Sequence, residues 1–353
     1  MNFKTIIKLS ILFVIIHPLY GQEKQNDIKD STYFVNTLKS FTSGNNIRRY
    51  KHVKNYPESE TLQNLKVKTE AIDWLGIYRN VIVEKKGETD SIVYVVCHYD
   101  KIDGNVFSLV NALVNGNLDF LLSNVYLSKG AYDNGTGVIT SLGLLSWINS
   151  QSTHYTYRFL FAGMEEYGLR GSRRHVSGLK KTEWNKCFYA VNIDMVGKKG
   201  VTGITVTQNV SDSNLVKISE RLCENKKYKL SKAKIPVGAL SDYLSFQGQS
   251  FGKDFGISLL VNVTGAFIPQ RSYITGVKKA IPIINFTDDA KITISEFLSM
   301  YSPVSFGEMH SFRDNPKVVD PNNLVLYHNF LKEFLLSIDK QKSLVLNNNT
   351  SAN

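Results

Sequence analysis

Residues 157–176, YRFLFAGMEEYGLRGSRRHV, decide the fold. Tyr157 to Ala162 is an apolar, aromatic-rich run and reads as a buried strand. Leu169 to Val176, behind Gly168, reads as a helix. Between them stand two adjacent carboxylates, Glu165 and Glu166, where apolar packing is interrupted by repelling charges. A nearby cation would remove that conflict. In a continuing strand the two side chains alternate, so one faces a metal and the other is released to act as a base.

The same arrangement recurs on either side. Ile92 to Cys97 is rich in β-branched residues and is followed by His98 in C-H-Y-D. Phe188 to Ile193 is followed by Asp194 in N-I-D-M. Asp133, in G-A-Y-D-N-G-T-G, precedes a helix over Val138 to Ile148. Further strands are expected at Val81 to Val83 and Ile257 to Val261, and further helices at Thr32 to Phe41 and Asn214 to Cys223. A last helix follows Asp320-Pro321, with Leu324, Tyr327, Leu331 and Leu335 on one face. The core signal begins near Asn80. Strands alternating with helices predict a three-layer α/β/α domain around a mixed, mainly parallel sheet. Ligands of such sheets bind beyond the carboxyl ends of the strands. His98, Glu165, Glu166 and Asp194 fall there, Asp133 reaches the same rim from its turn, and His310 in M-H-S-F-R-D lies on a loop.

His98, Asp133, Glu166, Asp194 and His310 are the candidate metal ligands. Two histidines and three carboxylates make two three-ligand sites if one carboxylate bridges, and paired metals of this kind activate water and polarise a carbonyl. The donors suit zinc, and cobalt or manganese as well. Asp100 is placed to support His98, and Asp314 to support His310. Each motif alone has an ordinary reading as a cap, a turn or a solvated pair; their recurrence at successive strand ends carries the argument. His52, His154, His175 and His328 have no such context.

The chain has 353 residues, a hydrophobic fraction of 42% and a formal charge of +11. The basic residues are dispersed, which argues against nucleic acid as a partner. Lys4 and Lys8 before the short apolar run Leu9 to Ile16 read as a secretory signal over residues 1–21, with Gly21 at the cleavage site. The expected location is periplasmic or extracellular, with no stable membrane insertion after cleavage. Of the three cysteines, Cys97, Cys187 and Cys223, the first two flank apolar runs and read as buried thiols. Residues 22–343 form one expected domain with insertions at about 101–128 and 264–289, followed by a polar tail at 344–353. Both insertions are candidates for lids or pocket walls, with simple surface excursions the alternative.

The motifs H-Y-D, G-A-Y-D-N-G-T-G, E-E-Y-G-L-R-G-S, N-I-D-M and H-S-F-R-D, in this order over about Asn80 to Leu336, resemble the co-catalytic zinc aminopeptidases. The resemblance implies the zinc-exopeptidase fold and two zinc ions bridged by Asp133. His98 and Asp194 would complete one site, and Glu166 and His310 the other. It also implies Glu165 as general base toward a metal-bridging water, Asp100 behind His98, and a cis peptide after Asp133. Ser241-Asp242 with Phe246 resembles the family's segment near the substrate pocket. Met309 stands where family members often carry an oxyanion-holding Tyr, leaving Tyr243 and Tyr301 as candidates. The implied activity is removal of N-terminal residues from peptides with a free N-terminus. The alternative is glutaminyl-peptide cyclotransferase chemistry on a related scaffold, of which C-H-Y-D is reminiscent. A non-catalytic binding protein on the same fold is the third class. Nothing in the sequence indicates an oligomeric state.

Overall fold

The computed structural model describes residues 29–73, 75–102, 128–226, 228–234, 241–247, 280–288 and 313–340. The expected signal segment, the polar tail, Ile257 to Val261, Tyr301, His310 and most of both expected insertions lie outside these residues.

Two helices precede the sheet. Helix α1 (Ser31–Thr42) starts at Asp30, whose carboxylate accepts the Tyr33 N–H at 2.8 Å, and it buries Phe34, Leu38 and Phe41 along one face. Helix α2 (Asn46–Ser59) is capped by Asn45 and is polar overall, yet Asn46, Arg49, Val53 and Tyr56 are buried on a single stripe. Strands β1 (Leu65–Ala71), β2 (Arg79–Lys85) and β3 (Ile92–His98) follow. Then come helix α3 (Thr136–Asn149), strand β4 (Thr156–Ala162), helix α4 (Arg170–Gly178) and strands β5 (Cys187–Ile193) and β6 (Ile204–Thr207). Helix α5 (Ser213–Lys226), strands β7 (Leu230–Ala233) and β8 (Ile283–Phe286), and helix α6 (Pro321–Lys340) complete the order.

The eight strands form one sheet in the order β1-β2-β4-β3-β5-β8-β6-β7. The central run β4-β3-β5-β8 is parallel, while β2 lies antiparallel to both β1 and β4, and β6 antiparallel to β8. Alternate residues serve opposite faces. Val93, Val95, Phe159, Phe161 and Val191 pack with α1, α3, α5 and α6; Tyr94, Val96, Leu160 and Ala190 pack with α4 and the turn Tyr243–Phe246. That is the three-layer mixed, mainly parallel architecture.

One expectation needs correction. Residues 264–289 are not wholly an insertion, because Ile283–Phe286 is the buried strand β8 between β5 and β6. Helix α1 lies where Thr32 to Phe41 was expected to be helical, while α2 and the half-exposed edge strand β1 add ordered structure before Asn80. The two ends of the segment around 101–128 lie together, the Lys101 ammonium donating to the Ser128 carbonyl at 2.6 Å.

Candidate metal centre

The parallel register puts three strand ends side by side. His98 closes β3 level with Ala162 of β4, and Val96 pairs with Asn192 two residues before Asp194. His98 is 1% exposed. Its Nε2 lies 3.2 Å from Asp133 Oδ1, 3.4 Å from Asp194 Oδ1 and 3.9 Å from Glu165 Oε2, and its Nδ1 lies 3.6 Å from Asp100 Oδ1. Two triads share His98: one with Asp133 and Glu166, one with Glu165 and Asp194, each having its ligand atoms within 4.8 Å of one another. Four of the five ligands expected from sequence therefore converge, together with Glu165 and Asp100. The fifth, His310, is outside the described residues.

Local structure explains the convergence. Asp133 sits in the turn Ala131–Gly135, and the Asp133-Asn134 peptide is cis. The Asn134 side chain ties this turn to the end of β5: its amide donates to Ile193 O at 3.0 Å, and its oxygen accepts from Gly137 N at 2.9 Å and Met195 N at 3.1 Å. Asp314 holds the turn from the other side, accepting the Tyr132 N–H at 2.6 Å and the Asp133 N–H at 3.4 Å. Ser241 donates to Asp194 Oδ2 at 2.6 Å.

Glu165 and Glu166 diverge for a different reason from the one expected. Strand β4 stops at Ala162, so no strand alternation reaches them. Met164 turns the chain at φ +57°, and the Glu165 carbonyl accepts from Gly168 N and Leu169 N, both at 2.8 Å. The carboxylate of Asp100 fastens this turn, accepting the N–H groups of Glu165 at 3.1 Å and Glu166 at 3.4 Å. Asp100 thus fastens the backbone of the two glutamates, and it stands 3.6 Å from His98 Nδ1, close enough for charge attraction but not for a hydrogen bond.

The electrostatics fit a cation. Burial raises the Glu165 carboxyl well above the usual range; His98 opposes this, while Asp242, Glu166 and Asp194 add to it. Asp242 is pushed up to about 7 by burial, against the pull of His98. Burial alone would lower His98, but Glu165, Asp194, Asp100 and Asp133 raise it well above its ordinary value. Asp194 Oδ1 is buried without a hydrogen bond among the described residues, although His98 Nε2 is near. A pocket of carboxylates with one imidazole and an unsatisfied acceptor is costly to bury unless positive charge enters it. Nitrogen and carboxylate oxygen are the donors zinc takes.

Sequence reasoning missed several supports. Arg49, fully buried on α2, donates to the carbonyls of Tyr99, Asp100, Lys129 and Gly130. Burial lowers its guanidinium to about 10, with Asp314, Asp100, Glu166 and Asp133 opposing. Nothing in the run Arg48-Arg49-Tyr50-Lys51 separates this arginine from a surface base; only its place on the stripe with Asn46, Val53 and Tyr56 does. Asp314, expected beside His310, which lies outside the described residues, holds the Asp133 turn; burial and Asp133 raise it to about 7. Tyr243, a candidate for the oxyanion, is buried 2% exposed, and burial together with Asp194 raises its phenol.

Residues 80–253 match the model of peptidase family M28. That segment belongs to the family, and it carries His98, Asp133, Glu165, Glu166 and Asp194. Aminopeptidase YwaD of Bacillus subtilis is 28% identical over 173 residues, which cover 48% of this chain and 33% of that protein. The chain thus spans about a third of the length of that curated relative. Among solved structures, LapB of Legionella pneumophila superposes with a TM-score of 0.59 at 14% identity, covering 88% of this chain and 72% of its own. Glutaminyl cyclase of Porphyromonas gingivalis gives 0.57 at 15% identity, covering 88% and 99%. Both share the fold.

Proposed function

We propose that this protein is an exported zinc exopeptidase that hydrolyses the N-terminal peptide bond of peptides. The observation that carries the proposal is the pair of triads sharing His98 at the carboxyl ends of β3, β4 and β5, with Glu165 inside them. His98, Asp133, Glu166 and Asp194, joined by His310, would hold two zinc ions. Such ions supply an acidified water and a polarised carbonyl. Glu165 takes a proton from the attacking water and returns it to the leaving amine. Burial, with Asp242, Glu166 and Asp194 adding to it, raises its carboxyl above the usual range, which favours proton acceptance. Asp100 holds the Glu165 turn in register through that transfer. The carboxylates around His98 offer the free α-amine of a peptide its counter-charge.

A second reading, glutaminyl cyclase chemistry, is favoured by the match to nearly the full length of the Porphyromonas gingivalis enzyme. A metal count on the purified protein, with assays on aminoacyl substrates and on a Gln-initiated peptide, separates the two. Bound zinc with release of N-terminal residues supports the peptidase. Pyroglutamate formation without such release supports the cyclase. Absence of bound metal and of both products removes both. Recovery of the mature chain outside the cytoplasm tests export.

A further inference from the structure

The geometry points to Arg49 as a positioning residue of this centre, joining the loop that carries His98 and Asp100 to the turn that carries Asp133. The inference rests on the cation-binding reading above. Helix α2 lies outside the family-matched residues 80–253, yet two of its buried side chains reach the ligand loops. Asn46 pairs twice with Lys101, donating to its carbonyl at 2.8 Å and accepting its N–H at 3.0 Å. One turn later, Arg49 Nη1 donates to Tyr99 O at 3.2 Å and Asp100 O at 3.5 Å. Nη2 donates to Gly130 O at 2.8 Å and to Lys129 O. The first pair of carbonyls directly follows His98; the second lies just before Asp133.

Only a planar fork fits this task. Four carbonyls on two separate loops need donors fixed in one plane, which guanidinium provides and ammonium does not. The neighbours are shaped around it. The Phe41 ring lies 4.6 Å from the guanidinium carbon. Gly130 has φ +54°, and a Cβ there would stand 2.7 Å from Nη2, so the loop carries a glycine where the guanidinium approaches. Asp314 grips the same turn from the far side through Tyr132 and Asp133. Arg49 and Asp314 thus fix the Asp133 turn from both sides, and Arg49 ties it to the His98 loop beside the bond from Lys101 to the Ser128 carbonyl.

The test is Arg49→Lys, with zinc affinity read by competition against a chromogenic chelator. The charge is conserved, so repulsion between residue 49 and the bound ion is unchanged and any fall reports geometry. A loss of about 10- to 100-fold is expected, the range for groups that orient metal ligands. Arg158→Lys is the control: that arginine is held by Glu84, Glu183 and Tyr94 near the start of β4, away from the ligands. It is expected to change zinc affinity less than about twofold, while lowering thermal stability as Arg49→Lys does. In Arg49→Ala, added ethylguanidinium is expected to restore binding where ethylammonium does not. If far-UV circular dichroism shows Arg49→Lys unfolded, Asn46→Ala opens the same joint at Lys101 and is expected to weaken zinc in the same direction. Unchanged affinity in a folded Arg49→Lys, or in Asn46→Ala where that variant replaces it, overturns the inference and leaves the peptidase reading standing. A wild-type protein that binds no zinc overturns the reading itself.

Discussion

His328 offers a quantitative check on the packing behind the site. It lies on α6 with 1% exposure, edge-on to Phe34 of α1 at 5.6 Å and against Gly143 of α3. Neither ring nitrogen has a hydrogen-bonding partner among the described residues. Burial, with Lys332 and Lys29 adding repulsion, lowers its pKa from 6.5 to about 3. The sign follows from where the proton goes. Above about pH 6.5 the ring is neutral in both states and contributes no penalty. As pH falls from there toward about 3, the unfolded chain takes up a proton that the folded chain refuses, so stability falls at up to about 1.4 kcal/mol per pH unit. Across that window the loss amounts to about 5 kcal/mol, of which about 2 kcal/mol is reached by about pH 5. His328→Leu removes the titrating group and two unsatisfied polar atoms at modest change of volume. Urea unfolding of the metal-free proteins near pH 7.5 and near pH 5 measures the difference. Wild type is expected to lose about 2 kcal/mol more than His328→Leu over that interval. Parallel losses would refute the reasoning, since they would mean that His328 meets solvent or a partner when protonated.

Four further outcomes test the site. Glu165→Gln is expected to lower turnover roughly 100- to 10,000-fold while leaving bound zinc unchanged, measured by steady-state rates beside metal analysis; lost zinc would make Glu165 a ligand instead. Asp100→Ala is expected to weaken zinc about 10- to 100-fold in chelator competition, because it frees the backbone of Glu165 and Glu166 and removes a negative charge beside His98. Gly137→Ala, which in an ordinary helix would gain about 0.5–1 kcal/mol, is expected here to cost about 1–3 kcal/mol in urea unfolding. Its Cβ would collide with the Asn134 side chain and the Ile193 carbonyl. Dialysis against a chelator is expected to abolish hydrolysis and lower the thermal midpoint, and zinc in excess to restore both.

The strands that deliver ligands were legible because apolar β-branched runs end abruptly in His98, in the Glu165-Glu166 pair and in Asp194. Helix α6 was legible from its apolar stripe, all of it buried. Strand β8 was not, because four residues behind Pro282 are too short for periodicity to act on; burial between β5 and β6 decides their conformation. Strand β1, LKVKTEA, has the charge of a half-exposed edge and little apolar pattern. The ligands of the centre were readable, but their fastening was not. Arg49, Asn134 and Asp314 act through backbone groups far away in the chain, and such pairings leave no local signature.

The bond from Tyr132 N–H to Asp314 spans 182 residues. His98, Asp133, Glu166 and Asp194 are synthesised long before that anchor exists, so a chain emerging from the ribosome carries these side chains without the frame that aims them. Assembly of the centre is therefore a late event of biosynthesis. A chain truncated before Asp314 would keep His98, Asp133, Glu166 and Asp194 and still be a blunt instrument.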